Sequence, residues 1–60
     1  MKRFTKTNIR REIDIYYRNG KFVTTVTRTV YKGLTNSEYV KYNKIYYKLD
    51  IAFNRYTIWI

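Results

Sequence analysis

Residues 33–53 read GLTNSEYVKYNKIYYKLDIAF, and two periodicities compete within them. At the start, Thr35 and Glu38 have the spacing of a capping box. In such a box an N-cap hydroxyl and an N3 carboxylate satisfy each other's backbone N–H groups. Leu34 and Tyr39 flank the box at the positions of a hydrophobic staple, and Gly33 lets the chain turn ahead of it. At about 100° per residue, Tyr42, Ile45, Tyr46 and Leu49 share one stripe, continued by Phe53. Lys41, Lys44 and Lys48 form a second stripe away from it, with Val40 and Tyr47 on its flank. The rival period is two, because Ile45, Tyr47, Leu49, Ile51 and Phe53 also alternate as a strand would. The capping box selects the helix, over residues 36–50.

Upstream, Asn19-Gly20 between β-rich runs signals a hairpin. A two-residue type I′ loop pairs Arg18 with Lys21, which sets Tyr17 opposite Phe22, Ile15 opposite Thr24 and Ile13 opposite Val26 on the core face. The other face carries Tyr16, Val23, Thr25, Thr27 and Thr29 among Arg10, Glu12, Asp14, Arg18 and Lys21. One pair breaks the pattern. Arg11 falls opposite Arg28 on the core face, where like charges repel, so either a bulge shifts the register or an anion sits at the hairpin's open end. Residues 1–8 read as a flexible basic arm or at most a frayed edge strand, and Tyr56–Ile60 as a final strand with Trp59 turned outward.

The expected fold is one α+β domain over residues 1–60, in the order β-β-α-β. Its three- to four-stranded antiparallel sheet carries one helix on one face. The hairpin followed by Gly33-Leu34-Thr35-x-x-Glu38 and a helix resembles, in topology, the arm-binding domains of some phage and transposon integrases, over residues 12–49. That resemblance implies a sheet laid in the DNA major groove. The chain departs from it in charge, since Arg10, Arg18 and Lys21 against Glu12 and Asp14 leave the wet face at only +1.

Composition narrows the function classes. A 60-residue chain buries only about 60% of its unfolded surface, so small domains usually add a disulfide or a metal. This chain has no Cys and no His, which removes disulfides, thiolate chemistry and the common zinc ligand sets. Twelve aromatics (eight Tyr, three Phe, one Trp) are more than one small core hides. The excess points to a homodimer or an obligate complex, with Tyr16, Tyr31 and Trp59 as interface candidates. The net charge of +9, from thirteen Lys and Arg against four acids, implies a polyanionic partner. No apolar run reaches the ~20 residues of a membrane span and no signal peptide follows Met1-Lys2-Arg3, so the cytoplasm is the expected compartment. A bias to Lys, Asn, Ile, Tyr and Thr is that of an A/T-rich genome and suggests a phage or mobile element.

No nucleophile–base pair, metal cluster or phosphate-cradling glycine loop is present in the sequence, so no enzyme, cofactor or metal role is expected. Basic residues interleaved with aromatics are the pattern of a nucleic-acid surface. Three patches qualify: the arm with Lys2, Arg3, Lys6, Arg10 and Arg11; the Lys41, Lys44, Tyr47, Lys48 stripe; and the hairpin tip with Arg18 and Lys21, joined by Arg28 at the open end. The first expectation is therefore a nucleic-acid-binding accessory protein, for DNA or RNA. The second is a small phage-type inhibitor that blocks a host protein or nucleoprotein complex through aromatic anchors such as Trp59.

Overall fold

The computed structural model describes residues 4–60, and over them the chain is all-β. Six strands, β1 (Thr5–Tyr16), β2 (Phe22–Lys32), β3 (Glu38–Tyr42), β4 (Ile45–Lys48), β5 (Asp50–Ala52) and β6 (Arg55–Trp59), form one sheet in the order β4-β3-β2-β1-β6-β5. Every pair is antiparallel except β1 with β6. The expected helix is absent from the described residues, so the α+β fold and its likeness to integrase arm-binding domains both fall.

The reason lies in two turns. Lys32 pairs with Glu38, and Gly33–Ser37 form a loop in which Asn36 N–H donates to the Gly33 carbonyl (3.0 Å) and Gly33 N–H to the Ser37 carbonyl (2.9 Å). Asn36 lies in the left-handed region (φ 68°), which a helix beginning at Thr35 cannot contain. The Thr35 hydroxyl meets Ser37 Oγ at 3.2 Å, and the Glu38 carboxylate turns to Arg11 and Lys32. A second left-handed pair, Asn43 (φ 51°) and Lys44 (φ 65°), closes the two-residue turn between β3 and β4. A capping box contributes roughly 1 kcal/mol. The β-branched and aromatic residues between these turns prefer a pleated, half-buried surface, and they win.

The first hairpin holds its expected register at Ile13↔Val26 and Ile15↔Thr24 but not at its tip. The turn is a three-residue loop, with Gly20 N–H bonded to the Tyr17 carbonyl and Tyr17 N–H to the Lys21 carbonyl, both at 2.8 Å. Gly20 takes the left-handed φ of 93° that such a loop requires. A bulge then pairs Tyr16 with Phe22, turns Val23 toward the core and leaves Tyr17 exposed. A second irregularity between Lys6 and Arg10 lets Thr7 Oγ1 donate to the Val30 carbonyl at 2.8 Å. Because β1 begins at Thr5, the described part of the expected arm is built into the sheet or lies against it.

The sheet curls until β4 approaches β6, enclosing Ile13, Ile15, Val40 and Ile58, all fully buried. Burying each such side chain contributes roughly 1.5–3 kcal/mol. Tyr42, Tyr47 and Tyr56, with Val23, Val26, Leu49 and Ile60, pack around these four and complete the inner face. Tyr47 is thus a core residue, not the flank of a lysine stripe.

The β5–β6 turn carries visible strain. Phe53 (φ 55°) and Asn54 (φ 60°) occupy it, and a bulky aromatic in the left-handed region is a conformational outlier. Its ring is 75% exposed, so little burial compensates. Phe53→Asn is expected to stabilise the fold by about 1 kcal/mol, read as a rise in melting temperature. An unchanged or lower melting temperature would mean that the ring's contact with Tyr16 outweighs the strain.

Candidate functional site

On the outer face, opposite the core, strand pairing assembles residues that are far apart in sequence. Lys6, Tyr31, Tyr39 and Lys48 are successive cross-strand partners on β1, β2, β3 and β4, and form one row across the sheet. Beside it, Arg10 pairs with Thr29 and Lys41 with Tyr46. The aromatic rings of this region touch. Phe4 stacks on Tyr46 with centroids 4.2 Å apart and planes 20° apart, and meets Tyr39 edge-on at 4.8 Å. Tyr31 meets Tyr46 edge-on at 5.3 Å. Lys41 Nζ lies 5.7 Å from the Tyr46 ring centroid, within cation–π range. All four rings are half-buried, while Lys6, Arg10, Lys41 and Lys48 are exposed. Gly33 makes room for this cluster, since a Cβ there would stand 2.8 Å from Tyr39 Cε1.

The acids that neutralised this face on paper are engaged elsewhere. Arg55, at the start of β6, donates through Nε to Asp14 Oδ2 and through Nη2 to Glu12 Oε1, both at 2.6 Å. Thr25 Oγ1 also donates to Asp14 Oδ1, at 2.8 Å. The Arg55 hydrogen bonds hold the buried Asp14 carboxyl below the usual carboxylate range, against the opposing pull of desolvation. Glu38, whose strand position turns it to the inner side, takes Arg11 Nε at 2.8 Å and Nη2 at 3.2 Å, with Lys32 at 3.5 Å. Its carboxyl is likewise lowered, chiefly by the Arg11 hydrogen bonds. Arg11 does face Arg28, as the register requires. No bulge separates that pair; Glu38 binds Arg11, whose guanidinium also lies over the Tyr56 ring at 4.4 Å.

Arg28 has no carboxylate partner among the described residues. It donates to the Thr27 carbonyl at 3.2 Å and stands 5.8 Å from the Tyr42 ring centroid. The β2–β3 ladder pairs only Tyr31↔Tyr39 and Lys32↔Glu38. Where the strands part, Arg10, Thr27, Arg28, Thr29, Tyr31 and Lys41 line a hollow of about 240 Å³.

Of the sequence candidates, Lys6, Arg10, Arg28, Tyr31, Lys41 and Lys48 come together at this end. Lys44 sits in the β3–β4 turn, Arg11 is tied to Glu38, and Lys2 and Arg3 lie outside the described residues. Arg18 and Lys21 stand at the opposite end of β1, beside a second aromatic cluster. There Tyr16 contacts Phe22 (5.5 Å), Phe53 (5.8 Å) and Trp59 (5.2 Å), and Phe22 and Phe53 are exposed. The molecule measures 34 Å along its longest axis, so these two clusters are separate surfaces. Sequence reasoning missed Phe4, Tyr39, Tyr46 and Arg55 as site residues. The strand alternation set aside for residues 45–53, extended back through a two-residue turn at Asn43-Lys44, would have placed Tyr39, Lys41, Tyr46 and Lys48 on one face.

Among the described residues no group of acids is arranged to hold a metal ion, and no helix is long and apolar enough to cross a membrane. No protein-family model, no curated protein and no solved structure matches the chain, so any function must be argued from the geometry of these surfaces alone.

Proposed function

We propose that this chain is a nucleic-acid-binding accessory protein acting in the cytoplasm, and that the outer face of β1–β4 is its binding surface. The Lys6–Tyr31–Tyr39–Lys48 row carries the reading. Cations at both ends of a row of tyrosines combine backbone neutralisation with ring faces and edges for bases. With Arg55 holding Glu12 and Asp14, the field over the row is set by Lys6, Arg10, Lys41 and Lys48. Anisotropy of a labelled oligonucleotide, titrated across a salt series, tests it. Binding should weaken linearly on a log–log plot as salt rises. Absence of any salt-dependent binding to DNA or RNA near physiological ionic strength would end this reading.

A second reading, a regulator that binds a protein or a second copy of itself, is favoured by the opposite end. Exposed Phe22 and Phe53 around Tyr16 and Trp59, rimmed by Arg18 and Lys21, have the aromatic content of an interaction hot spot. Recovery of a stoichiometric protein partner from lysate, insensitive to nuclease and lost in Phe22→Ser, would favour this reading over the first.

A further inference from the structure

We propose that the hollow between β2 and β3 is an oxyanion subsite that seats one backbone phosphate, and that the nucleic acid it serves is single-stranded. This inference rests on the nucleic-acid reading above and specifies its ligand. The hollow's lining includes three cations, Arg10, Arg28 and Lys41, with the hydroxyls of Thr27 and Thr29, and no carboxylate. Each of the four acids is engaged or placed elsewhere: Glu12 and Asp14 on Arg55, Glu38 on Arg11 and Lys32, and Asp50 on β5, capping the Ile51 N–H. Arg10 Nη1 is already oriented by Thr29 Oγ1 at 3.2 Å, and Arg28 by the Thr27 carbonyl.

Arg10 and Lys41 stand on the outer face, and Arg28, on the alternate side of β2, borders the hollow where the strands part. An entering anion would offset charges that no carboxylate in the lining balances. At about 240 Å³ the space holds roughly eight waters at about 30 Å³ each, enough for a hydrated phosphate. Guanidinium groups present forked donors that match phosphate oxygens, while Lys41 adds a point charge.

The choice of strand state comes from Tyr31. It lines the hollow and also meets Tyr46, the ring on which Phe4 stacks. A phosphate held in the hollow therefore brings its own nucleoside to the aromatic cluster. In a duplex that base is paired and stacked inward, and extruding it costs several hydrogen-bond and stacking contacts. A single strand can satisfy the hollow and the rings together.

The test begins with inorganic phosphate titrated into ¹⁵N-labelled protein at low salt, where amide shifts should concentrate at Thr27–Tyr31 and Lys41. A labelled single strand and its duplex are then compared on wild type, Arg28→Gln and Lys41→Gln. Arg28→Gln removes one of two facing arginines, so the fold should persist, and Lys41→Gln alters an exposed strand position. Each substitution should weaken single-strand binding by roughly tenfold and lower the salt slope by about 0.7. Single-strand binding with unchanged slope in both variants overturns the subsite but leaves the nucleic-acid reading standing. Phosphate shifts confined to the hollow with no oligonucleotide bound keep the oxyanion site and overturn its nucleic-acid ligand. Tighter binding of the duplex, or of a phosphotyrosine peptide, than of the single strand overturns the proposed ligand class.

Discussion

Glu38→Gln is expected to destabilise the fold by about 2 kcal/mol at neutral pH, which in a chain of this size lowers the melting temperature by roughly 10 °C. Three cations, Arg11, Lys32 and Arg28, gather where β1, β2 and β3 meet, and Glu38 is the carboxylate there that binds the first two. Its side chain is 24% exposed and that of Arg11 26%, so the pair lies between a surface ion pair worth under about 1 kcal/mol and a buried one whose disruption costs about 3–5. The amide keeps the shape and one acceptor oxygen but leaves Arg11 directly opposite Arg28 without a counter-charge. Acid should produce the same loss in the wild type. Glu38 and Asp14 both have carboxyls lowered in the folded state, so their contribution is complete above the unfolded value near 4. It disappears as pH falls through their folded values, because the unfolded chain then binds more protons. Wild-type melting temperature should therefore drop below about pH 4, and less steeply in Glu38→Gln. Equal melting temperatures of the two proteins at pH 7 would show that Glu38 does not hold Arg11 and Lys32.

How far this was readable from the sequence depended on the range of the interaction. The Ile13↔Val26 and Ile15↔Thr24 register was legible because slipping by one residue would turn both isoleucines to solvent. The loop length was not, because Asn19-Gly20 serves a three-residue turn as well as a two-residue one, and one residue's difference moved Phe22 from the core face to the side of Tyr16. The helix was a misreading of a true motif. Thr35 and Glu38 have capping-box spacing, but Glu38 is drawn to Arg11, 27 positions away, by a charge-assisted pair of hydrogen bonds. No local pattern reports that partner. Nor does any local pattern show that Lys44 will accept a left-handed backbone, whereas Asn43 tolerates it readily. The site suffered most, since its rows run across strands. Reading residues 39–48 as a helix put Tyr47 outside and Tyr46 inside, and the sheet reverses both. Arg55 drew no notice in the sequence because the acids it binds lie 41 and 43 positions away.

If the outer face binds nucleic acid as proposed, it should lose that ligand in two distinguishable ways. Tyr46→Leu preserves an apolar side chain against Phe4 and Tyr31 but removes the ring on which Phe4 stacks and over which Lys41 lies. A stacked base contributes about 1–3 kcal/mol, so single-strand affinity should fall roughly tenfold or more. The salt slope should not change, because no cation is lost. Lys6→Gln with Lys48→Gln should do the reverse, lowering the slope by about 1.4 (two contacts at about 0.7 each on a single strand) while leaving the rings in place. Both lysines end the cross-sheet row and are exposed, so neither exchange touches the Ile13, Ile15, Val40 and Ile58 core. Phe22→Ser, at the far end of the 34 Å molecule, serves as the control and should alter neither quantity. Equal losses from Phe22→Ser and Tyr46→Leu would mean that the ligand spans both clusters or binds neither specifically. A loss caused by Phe22→Ser alone would move the binding surface to the Tyr16–Trp59 end. The pattern of slope against affinity therefore locates the ligand before any complex is solved.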